Sequence, residues 1–85
     1  MYTVVITEYA IRQLKKLSPQ VVTKIKEAIA DLMYEPRPHN HIKLTNVEAY
    51  RIRVGNYRVI YEINDSVLTI SVVEVADRKE VYKKR

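Results

Sequence analysis

Gly55, the one glycine in 85 residues, is followed by Asn56 and lies between two strand-like runs, Tyr50 to Val54 and Tyr57 to Ile63. Gly and Asn accept positive φ most readily, and two-residue hairpin loops demand it. The pattern predicts an antiparallel hairpin with its register set by the turn: Val54 opposite Tyr57, Arg53 opposite Arg58, Ile52 opposite Val59, and Arg51 opposite Ile60. Asn64-Asp65 reads as a second two-residue turn into a third strand, Val67 to Val75, with Leu68 opposite Tyr61 and Ile70 opposite Val59. One face of this meander then carries Tyr50, Ile52, Val54, Tyr57, Val59, Tyr61, Ile63, Leu68, Ile70 and Val72. The other face carries Arg51, Arg53 and Arg58.

The first half of the chain has a different period. Tyr2 to Ile6 is a short β-rich run and predicts an opening strand. Thr7 can cap a helix from Glu8, with Ala10, Leu14 and Leu17 at helical spacing. Ser18-Pro19 starts a second helix, proline occupying the first position, where its missing N–H is not needed. Val22, Ile25, Ile29, Leu32 and Met33 give that helix one apolar face, and Glu35-Pro36-Arg37-Pro38 ends it; the segment to about Val47 reads as loop. The expected fold is α+β: an N-terminal strand, an antiparallel two-helix hairpin, then a three-stranded antiparallel meander, forming a two-layer sandwich. No repeat or linker divides the chain, so residues 1–85 are expected to form one domain.

Composition narrows the function. Fifteen Lys and Arg against ten Asp and Glu leave a net charge of +5, which suits a polyanionic partner, either nucleic acid or an acidic protein segment. The chain has no cysteine, which excludes disulfides and thiolate-bound zinc and fits a reducing cytoplasm. The start Met1-Tyr2-Thr3-Val4-Val5-Ile6 has no basic segment and no long apolar run, so neither a signal peptide nor a membrane span is expected. His39 and His41 lie in the Pro-rich loop without a third ligand at metal-binding spacing, so they read as loop residues and no metal or other cofactor is expected. Tyr50, Tyr57 and Tyr61 alternate onto the apolar face and read as packing; Tyr9 and Tyr34 are expected at the edge of the core.

Arg53 facing Arg58 is the discordant feature. Like charges across an antiparallel pair oppose pairing, where unlike charges would gain ~0.2–1 kcal/mol. A bound phosphate would relieve the conflict, because guanidinium forks match phosphate oxygens. The plainer alternative is that the arginine stems cover the open sheet face, over neighbours such as Ile60.

The run Tyr50-Arg51-Ile52-Arg53-Val54-Gly55-Asn56-Tyr57-Arg58-Val59-Ile60-Tyr61 resembles the central hairpin of RelE/ParE-superfamily toxins, and Asp77-Arg78-Lys79-Glu80-Val81-Tyr82 resembles the tail of the RelE branch. The likeness extends over essentially the whole chain. It implies a RelE-like fold and the toxin component of a toxin–antitoxin system: a ribosome-dependent endoribonuclease that cleaves mRNA in the A site. The implied chemistry is metal-free attack of a 2′-hydroxyl on the adjacent phosphorus, leaving a 2′,3′-cyclic phosphate. By position, Arg58, Arg78 and Tyr82 match catalytic residues of the family, whereas Arg51 and Arg53 stand where RelE-type enzymes commonly carry lysine. Tyr82 follows Arg78 two residues sooner than in the best-known RelE pattern. Lys43 and Lys83 are accessory candidates for phosphate; Lys84 and Arg85 read as a solvated basic terminus. The implied partners are a RelB-like antitoxin wrapping the toxin with an acidic segment, in a hetero-oligomer, together with the ribosome and mRNA. Two alternatives stay open: a ParE-like toxin that binds a protein such as DNA gyrase without nuclease chemistry, and a non-toxic module whose basic groove holds an acidic helix.

Chemistry limits the roles. Transfer to the 2′-hydroxyl needs a base, an acid for the leaving 5′-oxygen, and positive charge around phosphorus. Arginine stays protonated at any workable pH, so Arg51 and Arg53 can clamp phosphate but cannot take the proton. Tyr82 is therefore the expected base, its phenolate favoured by neighbouring arginines. Arg78 is assigned to the transition-state phosphate.

Overall fold

Each helix begins where its capping residue allows. Thr7 is in extended backbone and its Oγ1 accepts from the Ala10 N–H at 3.2 Å, opening α1 (Glu8–Lys15); Ser18 does the same for Val21, opening α2 (Pro19–Leu32) with proline in the first turn. Ala10 and Leu14 of α1, with Ile25, Ile29 and Leu32 of α2, form the buried stripes. The computed structural model describes residues 1–77. The remaining elements are β1 (Thr3–Ile6), β2 (Ile42–Lys43), β3 (Tyr50–Val54), β4 (Tyr57–Asn64) and β5 (Thr69–Asp77).

The strands form one sheet in the order β1-β5-β4-β3-β2. β3, β4 and β5 are the expected antiparallel meander; the expected N-terminal strand and one short strand the sequence did not predict extend the same sheet. β1 runs parallel to β5, Val4 beside Ile70 and Ile6 beside Val72, which makes the sheet mixed. β2 is a two-residue strand inside the segment expected to be loop, with Ile42 opposite Arg51 and Lys43 opposite Tyr50. Helix-facing side chains from both layers close the core, in which Ile25, Val59, Tyr61, Ile70 and Val72 are wholly buried.

The first hairpin has the expected register, Val54 to Tyr57 through Arg51 to Ile60. Gly55 has φ of 61° and Asn56 has no positive φ, the pattern of a II′ turn, which needs positive φ at its first central residue. The second connection departs from expectation. Asn64 pairs with Thr69, so the loop has four residues, not two; Tyr61 lies opposite Val72, not Leu68, and Val59 opposite Val75, not Ile70. Asn64 causes this: its side-chain oxygen accepts from the N–H groups of Ser66 (3.0 Å) and Val67 (3.3 Å), building an Asx turn that carries the chain past a tight reversal. Leu68 closes the loop at φ of 49°, and its carbonyl accepts from the Thr3 N–H. It is exposed, not core.

A β-bulge follows. Tyr61 faces Val72 while Ile60 faces Glu74, leaving Val73 as the extra residue. Beyond it, Val75 points into the core and Glu74 away from it. Tyr9 and Tyr34, expected at the core edge, are 45% and 75% exposed.

Candidate functional site

The face of the sheet turned away from the helices is built by β3, β4 and β5. Alternation sends Ile52 and Val54 of β3, and Val59 and Tyr61 of β4, toward the helices. Arg51, Arg53 and Arg58 are thereby committed to the other side, with Arg53 and Arg58 as direct cross-strand partners. Arg58 is the buried charged residue among those described, at 7% exposure, whereas Arg53 is exposed. Its cross-strand neighbour on the other side is Ala76, whose small side chain leaves room for a guanidinium. A shallow depression of about 80 Å³ lies at the hairpin tip, lined by Arg53, Gly55, Asn56, Tyr57 and Arg58. Space around Gly55 is open, so this glycine is required for its backbone angle and not for a close approach.

Such a site can bind a doubly anionic or transition-state phosphate, since two guanidinium groups converge from adjacent strands over a partly dry surface. The structure brings Arg51, Arg53 and Arg58 together. Lys43 is not brought onto this face: it lies opposite Tyr50, on the other parity from Arg51, and its Nζ stands 3.4 Å from Glu48. Arg78, Tyr82 and Lys83 lie outside the described residues. His41, in the Pro-rich loop, has Nδ1 2.6 Å from the Pro38 carbonyl and its ring 5.9 Å from that of Tyr50. Among the described residues no three His, Cys, Asp or Glu side chains gather as a metal site, and no helix is long and apolar enough to cross a membrane.

A second cluster was not expected from sequence. Asp65 accepts from the Tyr2 hydroxyl at 2.6 Å and from Arg37 Nη2 at 3.0 Å, joining the β4–β5 loop to the N-terminus and to the loop after α2. The Tyr2 hydrogen bond and then the Arg37 contact hold the Asp65 carboxyl below its ordinary range; the same two bonds raise Tyr2 and Arg37. Arg37 also lies 5.3 Å over the Tyr50 ring, which stacks on Tyr61. Tyr61 is wholly buried, donates to the Pro36 carbonyl at 2.7 Å, and is pushed up to about 12 by burial. Tyr50 and Tyr61 are thus packing residues, as their alternation suggested. No motif marks Arg37 and Asp65 as partners, because 28 residues separate them.

Comparison with known proteins decides the family. The model of the ParE toxin of type II toxin–antitoxin systems matches residues 4–82. The chain belongs to the RelE/ParE superfamily of toxins. Toxin RelG of Mycobacterium tuberculosis is 33% identical over 85 residues, 98% of each chain. The archaeal RelE-RelB complex from Pyrococcus horikoshii contains a chain that superposes with a TM-score of 0.82 at 31% identity, covering 91% of this toxin and 94% of that chain. The isolated E. coli RelE toxin gives a TM-score of 0.80 at 26% identity, covering 99% and 94%. This toxin is therefore RelE-like in fold and sequence, and its five-stranded mixed sheet agrees with those structures.

Proposed function

We propose that this toxin is a ribosome-dependent endoribonuclease that cleaves mRNA in the A site without a metal. The observation that carries the reading is the cross-strand pair Arg53–Arg58, with Arg58 held in a nearly dry position and Arg51 two pairs along on the same face. Two guanidinium groups set side by side on adjacent strands can share a phosphate's oxygens, and they are most useful at the moment charge develops on phosphorus. In this account Arg58 and Arg53 grip the non-bridging oxygens, Arg51 holds the adjacent phosphate, and Arg78 and Tyr82 join them from the tail that resembles the RelE branch. Lys83 contacts flanking backbone, whereas Lys43, on the other parity and beside Glu48, lies outside the clamp. The 2′-oxygen attacks phosphorus, the bond to the 5′-oxygen breaks, and a 2′,3′-cyclic phosphate remains.

The same reading gives the toxin a cytoplasmic place and an antitoxin partner. Relatives have been solved as RelE-RelB complexes, and a basic sheet face suits an acidic segment wrapped over it. Primer extension on translated mRNA after induction tests the activity. Translation-dependent cuts within codons are the expected result. The second reading, a ParE-like toxin that binds a protein such as gyrase without nuclease chemistry, is favoured by the match to the ParE toxin family; it predicts intact mRNA and gyrase-dependent DNA damage.

A further inference from the structure

The β5 bulge has a chemical consequence. Ile70 and Val72 point into the core, and strict alternation from Val72 would bring Glu74 in behind them. The extra residue Val73 changes the parity, so Val75 takes the core position and Glu74 emerges on the arginine face. There Glu74 is opposite Ile60, which is itself opposite Arg51, and is diagonal to Arg58. Diagonal cross-strand neighbours are within reach of long side chains.

The bulge is fixed by residues outside the meander. β1 pairs with β5 only as far as Ile6 beside Val72, and side chains take over where the strand stops. The Thr7 N–H donates to the Val72 carbonyl at 3.0 Å, the Thr7 hydroxyl reaches the Val73 carbonyl at 3.5 Å, and Gln13 Oε1 accepts from the Val75 N–H at 2.6 Å. Thr7 is also the cap of α1, so one residue sets both the helix start and the strand irregularity. Bulges next to active sites re-aim side chains in this way.

We propose that the pinned bulge presents Glu74 to the arginine clamp as the proton acceptor for the attacking 2′-hydroxyl. The proposal rests on the ribonuclease reading above and gives to Glu74, in place of Tyr82, the base role that arginine cannot supply. Among the described residues, the charged groups facing Glu74 are Arg58 and Glu62 on its two diagonals along β4, with Arg51 across Ile60 and Arg53 across Arg58; α1 lies against the opposite face of β5. The Glu74 carboxylate takes the 2′-hydroxyl proton while the 2′-oxygen lone pair forms the bond to phosphorus. The P–O5′ bond breaks, the departing oxygen takes a proton from solvent, and Glu74 returns its proton to solvent, so nothing is consumed. Thr7 and Gln13 are positioning residues.

Single-turnover cleavage of ribosome-bound mRNA, followed from acid to alkaline pH, tests this. Glu74→Gln is expected to lower the rate by roughly 100-fold or more, the size of a general-base contribution, and to abolish the acidic limb of the pH–rate profile. Glu74→Asp should retain part of the rate and the limb, and Gln13→Ala should lower kcat with KM unchanged. Thermal melting and affinity for the antitoxin serve as controls for an intact fold. An undiminished Glu74→Gln rate overturns the proposal and leaves the ribonuclease reading intact. A slowed variant that keeps the acidic limb also overturns it, since Glu74 would then act only as a counter-charge. Absence of cleavage by the unaltered toxin overturns both.

Discussion

The β3–β4 and β4–β5 reversals both begin at a dipeptide suited to turns, Gly55-Asn56 and Asn64-Asp65, yet they are fixed by different forces. In the first, Gly55 supplies the positive φ of a two-residue turn and the ladder runs without interruption. In the second, the Asn64 side chain captures two N–H groups, the loop lengthens to four residues, and Tyr2, Thr3 and Arg37 hold it from elsewhere in the chain. A bulge pinned by Thr7 and Gln13 then redirects the last third of β5. The regular hairpin aligns the arginines by local chemistry; the irregular one requires tertiary contacts and turns a carboxylate toward them. A glycine turn sets register cheaply, whereas a change of parity needs partners.

The sharpest way to break that comparison is at the bulge. Val75→Asp should place a charge in the core and cost about 4 kcal/mol or more, enough to unfold a small domain, whereas Glu74→Val should be nearly neutral; urea titration of both variants would show the reverse order if β5 alternated strictly. At the regular turn, Gly55→Ala keeps a left-handed residue and should cost roughly 1–2 kcal/mol with no steric clash, since nothing lies within 4 Å of the added carbon. Asn64→Ala should lose about 0.5–1.5 kcal/mol by removing a side-chain cap from the Ser66 and Val67 N–H groups. The smallest effect belongs to exposed Asp65. Its carboxyl titrates below its ordinary range, so its contribution is complete above the unfolded pKa of ~3.9 and fades as pH falls through the lower folded value. Melting curves should show Asp65→Asn less stable than the unaltered toxin at neutral pH, with the gap closing in acid.

What the sequence revealed follows the same division. Helix starts at Thr7 and Ser18, the hairpin at Gly55 and the three arginines were legible because each depends on residues a few positions apart. The apolar face survived the misread second turn for a definite reason. The true register sums to 133 (Asn64 with Thr69) and the expected one to 129 (Tyr61 with Leu68), an even difference that leaves Ile63, Ile70 and Val72 on the same side. Leu68 was the exception because it falls inside the longer loop. The parallel pairing of β1, the two-residue β2 and the Arg37–Asp65 contact all join distant segments, and local periodicity carries no record of them. Glu74 was missed because alternation placed it inward, and only the bulge reverses that. Arg78, Tyr82 and Lys83 remain assignments by resemblance.

The claim at the centre of the account is that Arg58 grips the phosphate under attack. Single-turnover cleavage of ribosome-bound mRNA by Arg58→Ala, with antitoxin affinity as the control for folding, measures it directly. Loss of roughly 100- to 1,000-fold in rate, the size of removing one donor to a developing oxyanion, is the predicted result; a well-folded Arg58→Ala toxin that cleaves at the unaltered rate would contradict it.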